Sequence, residues 1–97
     1  MKSLRVYMPD GTEWDIPAVF IAEARTRYYA QKEHFLPGSP DWNDEFGHSM
    51  LDYELRDWAS YNMDWADVKD VAVRVQKPTH PTVYDREWAD AKKLVVG

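Results

Sequence analysis

The chain contains no cysteine. That excludes a disulfide-stapled scaffold, a thiolate metal site and a cysteine nucleophile. Glycine is scarce as well, four residues scattered so that none forms a phosphate-cradling loop. No hydrophobic run approaches the roughly 20 residues that span a bilayer, and the longest, residues 16–22, is interrupted by Pro17. The opening Met1-Lys2-Ser3-Leu4-Arg5 carries no signal-peptide core, so a soluble cytoplasmic protein with no membrane association is expected. A length of 97 residues with 44% hydrophobic content supports one domain, residues 1–97, built on one core.

Positive charge is also short, 12 Lys and Arg against 17 Asp and Glu for a net charge of −5. The deficit is local. Residues 1–40 balance five acids with five bases, whereas residues 41–70 hold nine acids against Arg56 and Lys69 alone. Direct binding to a nucleic-acid duplex needs a basic footprint, and this distribution argues against one. An acidic central third attracts basic protein surfaces instead.

Large aromatics, by contrast, are plentiful: five Trp and six Tyr. Every tryptophan follows an acid, in Glu13-Trp14, Asp41-Trp42, Asp57-Trp58, Asp64-Trp65 and Glu87-Trp88. An aromatic anchor beside a carboxylate is a composition suited to a binding face.

Leu4, Val6 and Met8 alternate with Arg5 and Tyr7, the period of a half-buried strand, and Pro9-Asp10-Gly11 supplies turn chemistry. Alternation resumes at Glu13–Ile16, so residues 3–16 form a predicted β-hairpin. Pro17 suits the first turn of a helix running from Ala18 to about Glu33, with Arg25, Arg27 and Lys32 as its basic decoration. Two prolines flanking Gly38-Ser39 make an irregular connection, in which Ser39 can cap a single turn carrying Trp42. A second helix is predicted from about Glu45 to Tyr61, with Leu51, Leu55 and Trp58 as its apolar stripe, Glu45, Asp52 and Arg56 on the far side, and Asn62 as its stop. Asp64 caps a short turn with Asp67 three residues on. Val71, Val73 and Val75 mark a third strand near 71–76. After the break at Lys77–Pro81, Thr82 and Asp85 resemble a capping box for a last helix from about Val83 to Lys93. The expected fold class is α+β, a small antiparallel sheet packed against two or three helices.

Catalytic and metal chemistry finds no support. Asp41, Asn43, Glu45 and Asp52 have a calcium-loop spacing, but Phe46 stands where the loop requires glycine. His34, His48 and His80 have no partner at ligand spacing, the serines sit in no elbow motif, and no two acids are singled out as a dyad. The expectation is a non-enzyme without cofactor or metal.

Two surfaces remain. The first is acidic and aromatic: Trp42, Asp44, Asp52, Tyr53, Glu54, Asp57 and Tyr61, where spaced carboxylates steer a basic protein and exposed aromatics hold it. Trp42 is assigned to the surface, Trp58 and Trp65 mainly to the core. The second is a phosphate-plus-stacking set, Arg5, Arg25, Arg27, Tyr28, Tyr29 and Lys32, which would suit a nucleotide held between the subunits of a homo-oligomer.

The run Asp57-Trp58-Ala59-Ser60-Tyr61-Asn62-Met63-Asp64-Trp65-Ala66-Asp67-Val68, with the opening hairpin and the Pro17 helix, resembles uncharacterised small accessory proteins of tailed bacteriophages. The resemblance carries over no functional residues. It implies a setting, the cytoplasm of an infected bacterium, in which proteins of this size commonly bind and disable a host component. The leading expectation is therefore an inhibitor of a host defence or nucleic-acid-handling protein. The alternative is an oligomeric sponge that sequesters a nucleotide messenger without cleaving it.

Overall fold

Alternation in the first 17 residues produces the expected hairpin. In the computed structural model, which describes residues 1–76 and 87–97, strand β1 (Ser3–Tyr7) pairs antiparallel with β2 (Glu13–Pro17). Gly11 closes the turn at φ 85°, a left-handed conformation that a Cβ would strain. The buried Asp10 carboxylate accepts from both the amide and the hydroxyl of Thr12, so the turn is tied from within. Leu4, Val6 and Ile16 point to the core, and Arg5 and Asp15 meet on the opposite face in a bidentate ion pair of 2.8 and 2.9 Å.

Strand β3 (Val73–Gln76) adds to the free edge of β2, with a bulge opposite Glu13 and Trp14. Strand β4 (Lys92–Val96) pairs antiparallel with β1, Arg5 facing Leu94 and Tyr7 facing Lys92, so the sheet order is β3-β2-β1-β4. This overturns the C-terminal end of the predicted last helix. Lys92 and Lys93 do not terminate a helix; they begin a strand that completes the sheet, and Trp88–Asp90 form only a turn. The pairing edge of β1 supplies backbone partners that outweigh the local helix preference of Ala89–Lys93. The break at Lys77–Pro81, the Thr82–Asp85 cap and the predicted helix start lie outside the described residues.

The helices cover one face of the sheet. Helix α1 (Ala18–Glu33) begins where predicted and ends at His34, which adopts the left-handed conformation at φ 62°. The predicted helix over residues 45–61 is instead two helices, α2 (Pro40–Ser49) and α3 (Asp52–Asn62). Ser39 does cap the first of these, its hydroxyl accepting from Trp42 N at 3.2 Å, but the helix runs ten residues rather than one turn. The chain turns at Met50-Leu51, where Leu51 is extended (ψ 141°) and exposed rather than part of an apolar stripe. Acids Asp52 and Glu54 then favour the positive start of α3. Helix α4 (Trp65–Val68) starts at the expected cap, Asp64, and Asp67, expected only to favour the positive helix start, also accepts from the Asp64 amide at 2.8 Å.

Leu4, Val6, Met8 and Ile16 from the sheet meet Ala18, Ile21 and Ala22 of α1 and Leu55, Ala59 and Met63 of α3. Trp88, 1% exposed, fills the end of this core, and its indole N–H donates to Ala59 O at 2.8 Å, so its burial leaves no orphaned donor. Trp14 and Trp65 stack edge to face at 5.0 Å, with Trp65 and Trp88 6.4 Å apart. Trp58 and Trp65 pack against the core yet remain half-buried, so the assignment of both mainly to the core holds for only part of each ring. Among the described residues no helix is long and apolar enough to cross a membrane.

Candidate interaction site

A buried arginine organises the surface formed by α1, α2 and α3. Arg25, 8% exposed, projects from α1 to the corner where α2 turns into α3. Its guanidinium donates to Glu54 of α3 at 2.5 Å, to the Ser49 hydroxyl at 3.0 Å and to Glu45 of α2 at 3.4 Å. It also lies 4.7 Å over the Tyr29 ring. The hydroxyls of Ser49 and Thr26 lie 3.2 Å apart beneath it, and Thr26 donates to Ala22 O at 2.7 Å. Glu54 is shared, with His48 Nε2 2.8 Å from the same carboxylate oxygen. Carboxylates from two helices thus neutralise one buried cation. This clamp gives a physical reason for the break between α2 and α3, since a straight helix could not bring Glu45 and Glu54 to the same guanidinium.

Above the clamp lies a cleft of about 230 Å3 between α1 and α3. Its walls are Tyr28 and Tyr29 on one side and Trp58 and Tyr61 on the other, with Asp57 and Asn62 at its rim. The rings form one cluster, Tyr28 to Tyr29 at 5.1 Å, Tyr28 to Trp58 at 5.3 Å and Tyr29 to Trp58 at 6.2 Å. Tyr61 is 82% exposed and Tyr28 48%. Helical spacing explains the convergence: 25, 28 and 29 share a face of α1, and 54, 57, 58 and 61 share a face of α3.

Two sets of residues read separately from the sequence meet here. From the acidic set, Glu54, Asp57 and Tyr61 line the cleft; from the phosphate set, Arg25, Tyr28 and Tyr29 do. The rest disperse. Arg5 sits on the far face of the sheet, where its hydrogen bonds to Asp15 hold its guanidinium well above the ordinary range. Arg27 is exposed on another side of α1, in a depression that also holds Trp42. Lys32 does not line the cleft, but its ammonium lies 5.9 Å from the centre of the Tyr28 ring. Within one chain, then, Arg25 is already neutralised by Glu45 and Glu54, and Arg5 and Arg27 stand apart from the Tyr28–Tyr29 pair.

The acidic set is thinner than expected as well. Asp52 pairs with Lys2 at 2.8 Å, and Glu54 and Glu45 face Arg25 rather than solvent. Asp44 and Asp57 remain exposed, as does Tyr53, whose ring lies 6.4 Å from His48. Trp42 is not in a loop; it occupies the first turn of α2, half-buried, borders a depression with Ala30, His34 and Phe35 at the end of α1, and shares no wall with the cleft.

Sequence reasoning missed Trp58 as a site residue. It also missed a second, more apolar depression of about 320 Å3 on the other side of that ring, formed by Phe20, Ala24 and Met63 with Asn62 and Asp67. The spacing Phe20, Ala24, Tyr28, four residues apart each time, was the available signal for a continuous stripe on α1. No family model matches the chain, and no curated protein or solved structure shows significant similarity to it.

Proposed function

We propose that the chain is a non-catalytic interaction protein that takes up a basic surface of another protein along the seam between α1 and α3. The observation that carries this reading is the cleft itself. The exposed rings of Tyr28 and Tyr61 and the half-buried ring of Trp58 stand beside Asp57, while the cation on the cleft floor, Arg25, is already neutralised by Glu45 and Glu54. Such a site offers desolvatable aromatic area next to an uncompensated negative charge, the pairing found in anchor positions of protein interfaces. The surplus of acids over residues 41–70 adds long-range attraction for a basic partner. In the setting implied by the resemblance to phage accessory proteins, that partner is a host defence or nucleic-acid-handling protein met in the bacterial cytoplasm, and binding disables it.

Affinity capture from bacterial lysate tests this reading, followed by titration of the recovered partner. Binding should weaken as salt is raised and again when Asp44 and Asp57 are changed to Asn, because both carboxylates are exposed. A partner whose binding ignores salt and both substitutions removes the acidic face from the mechanism.

A further inference from the structure

Trp58 is the shared wall of two unlike depressions along one groove. On one side are Tyr28, Tyr29, Tyr61 and Asp57; on the other are Phe20, Ala24 and Met63. Asn62 lies at the boundary and lines both. We infer that this groove recognises an extended segment of the partner carrying an arginine and, two residues away, an apolar side chain. The guanidinium lies against Trp58 and Tyr61 with Asp57 as its counter-ion, and the apolar side chain covers Phe20, Ala24 and Met63. This inference rests on the reading of the seam as an interaction surface and names what that surface selects.

Charge decides the first half. The floor cation Arg25 faces two carboxylates, Glu45 and Glu54, and Asp57 adds a third at the rim; with Lys32 counted, 5.9 Å from the Tyr28 ring centre, three acids still face two cations, so the aromatic half is net negative and disfavours an anion. A cation gains from both the carboxylate and the ring faces. Geometry favours arginine over lysine. A planar guanidinium can lie flat on an aromatic ring while giving two parallel N–H groups to a carboxylate, whereas an ammonium is a compact, strongly hydrated point. The protein already sets one guanidinium beside a ring and a carboxylate internally, with Arg25 4.7 Å over the Tyr29 ring while it gives a single N–H to Glu54.

Spacing decides the second half. Successive members of Phe20, Ala24 and Tyr28 are one helical turn apart, about 5–6 Å of rise. Ala24 of the apolar half and Tyr28 of the aromatic half thus stand about one turn apart, within reach of side chains i and i+2 of an extended chain, which are roughly 7 Å apart and point to the same side. Asn62, between the halves, is placed to bond the backbone of the intervening residue. The apolar half has three carbon-rich walls and can bury much of a leucine-sized group.

The test uses three capped tripeptides: acetyl-Arg-Ala-Leu-amide, the same peptide with neutral citrulline for arginine, and the same peptide with alanine for leucine. Each is titrated at low salt while the Trp58 indole N–H resonance is followed, that signal being assigned by its loss in Trp58→Phe. The arginine–leucine peptide should shift it saturably. Citrulline should weaken binding at least tenfold, loss of the leucine about fivefold, and Asp57→Asn or Tyr61→Ala about tenfold, with melting temperatures held as the folding control. Lys32→Met should tighten binding about twofold by removing a positive charge beside the cleft, 5.9 Å from the centre of its Tyr28 wall. Equal binding of the citrulline peptide overturns the cation assignment. Unchanged binding in folded Asp57→Asn and Tyr61→Ala overturns the location, and absence of any Trp58 shift overturns the inference as a whole. Poly-L-lysine titrated in parallel separates the two levels. If it binds in a salt-sensitive manner where the tripeptides fail, the acidic face survives and the groove assignment is lost; if it fails too, both fall.

Discussion

Replacing Arg25 by methionine keeps the aliphatic stem and removes the charge that holds α2 and α3 to α1. The guanidinium is almost wholly buried and bonded to Glu54, Ser49 and Glu45. Removing one partner of a buried ion pair costs about 3–5 kcal/mol, because the other is left uncompensated. Two features pull the figure towards the lower end. Glu54 keeps His48 at 2.8 Å, and the Glu45 contact is long, at 3.4 Å, with a carboxylate that is 26% exposed. A loss of about 3 kcal/mol is therefore expected, which in a domain of this size lowers the melting temperature by roughly 12–24 °C. Urea unfolding followed by far-ultraviolet circular dichroism measures it. A cycle with Glu54→Gln should return a coupling of about 1–3 kcal/mol, since the two groups share a contact. A loss below about 1 kcal/mol, the range of surface pairs, or strict additivity with Glu54→Gln, would refute the clamp as the device that places the cleft's walls.

Other consequences follow from buried groups elsewhere. Burial pushes the Lys93 ammonium down to about 8 from an ordinary 10.5, although Asp90 opposes the shift, and its amine donates to Trp88 O and Ala91 O. The unfolded chain thus holds more protons between about pH 8 and 10.5, so the wild type should gain stability relative to Lys93→Met as pH rises through that window; a flat difference between the two contradicts it. Trp42→Ala should cost about 2 kcal/mol, roughly half the cost of truncating a core tryptophan, because the ring is half-buried on α1; an unchanged melting temperature would return Trp42 to the role of a free docking anchor. Trp88→Phe should cost about 2 kcal/mol, from the lost bond to Ala59 O and the space left by the smaller ring; thermal unfolding within about 0.5 kcal/mol of wild type would count against Trp88 as the core's end plug.

Local chemistry was legible in the sequence, and long-range pairing was not. The hairpin, the start of α1 and the Asp64–Asp67 cap each depend on residues within a few positions of one another, so periodicity and capping rules sufficed. Strand β4 depends on β1 at the opposite end of the chain, and nothing local distinguishes its lysines from those of a helix C-terminus. The turn at Met50-Leu51 has no proline to announce it; its cause is the Arg25 clamp, whose members come from three helices. The site divides in the same way. Asp57 and Tyr61 were visible as exposed members of an acidic, aromatic stretch. The internal duties of Asp52 and Glu54 were hidden because Lys2, Arg25 and His48 reach them from other elements. Trp58 was hidden by its double role, one part against the core and the other dividing the groove.

The most direct test of the account is the footprint of a bound basic partner by hydrogen exchange. Once a partner has been captured, amide protection should concentrate on α3 from Glu54 to Asn62 and on α1 from Phe20 to Tyr29, the two walls of the groove. It should fall away in Asp57→Asn. Protection confined instead to β4 and the outer face of the sheet, or to the Trp42 end of α1, with the groove amides exchanging as in the free protein, would contradict the seam between α1 and α3 as the binding surface.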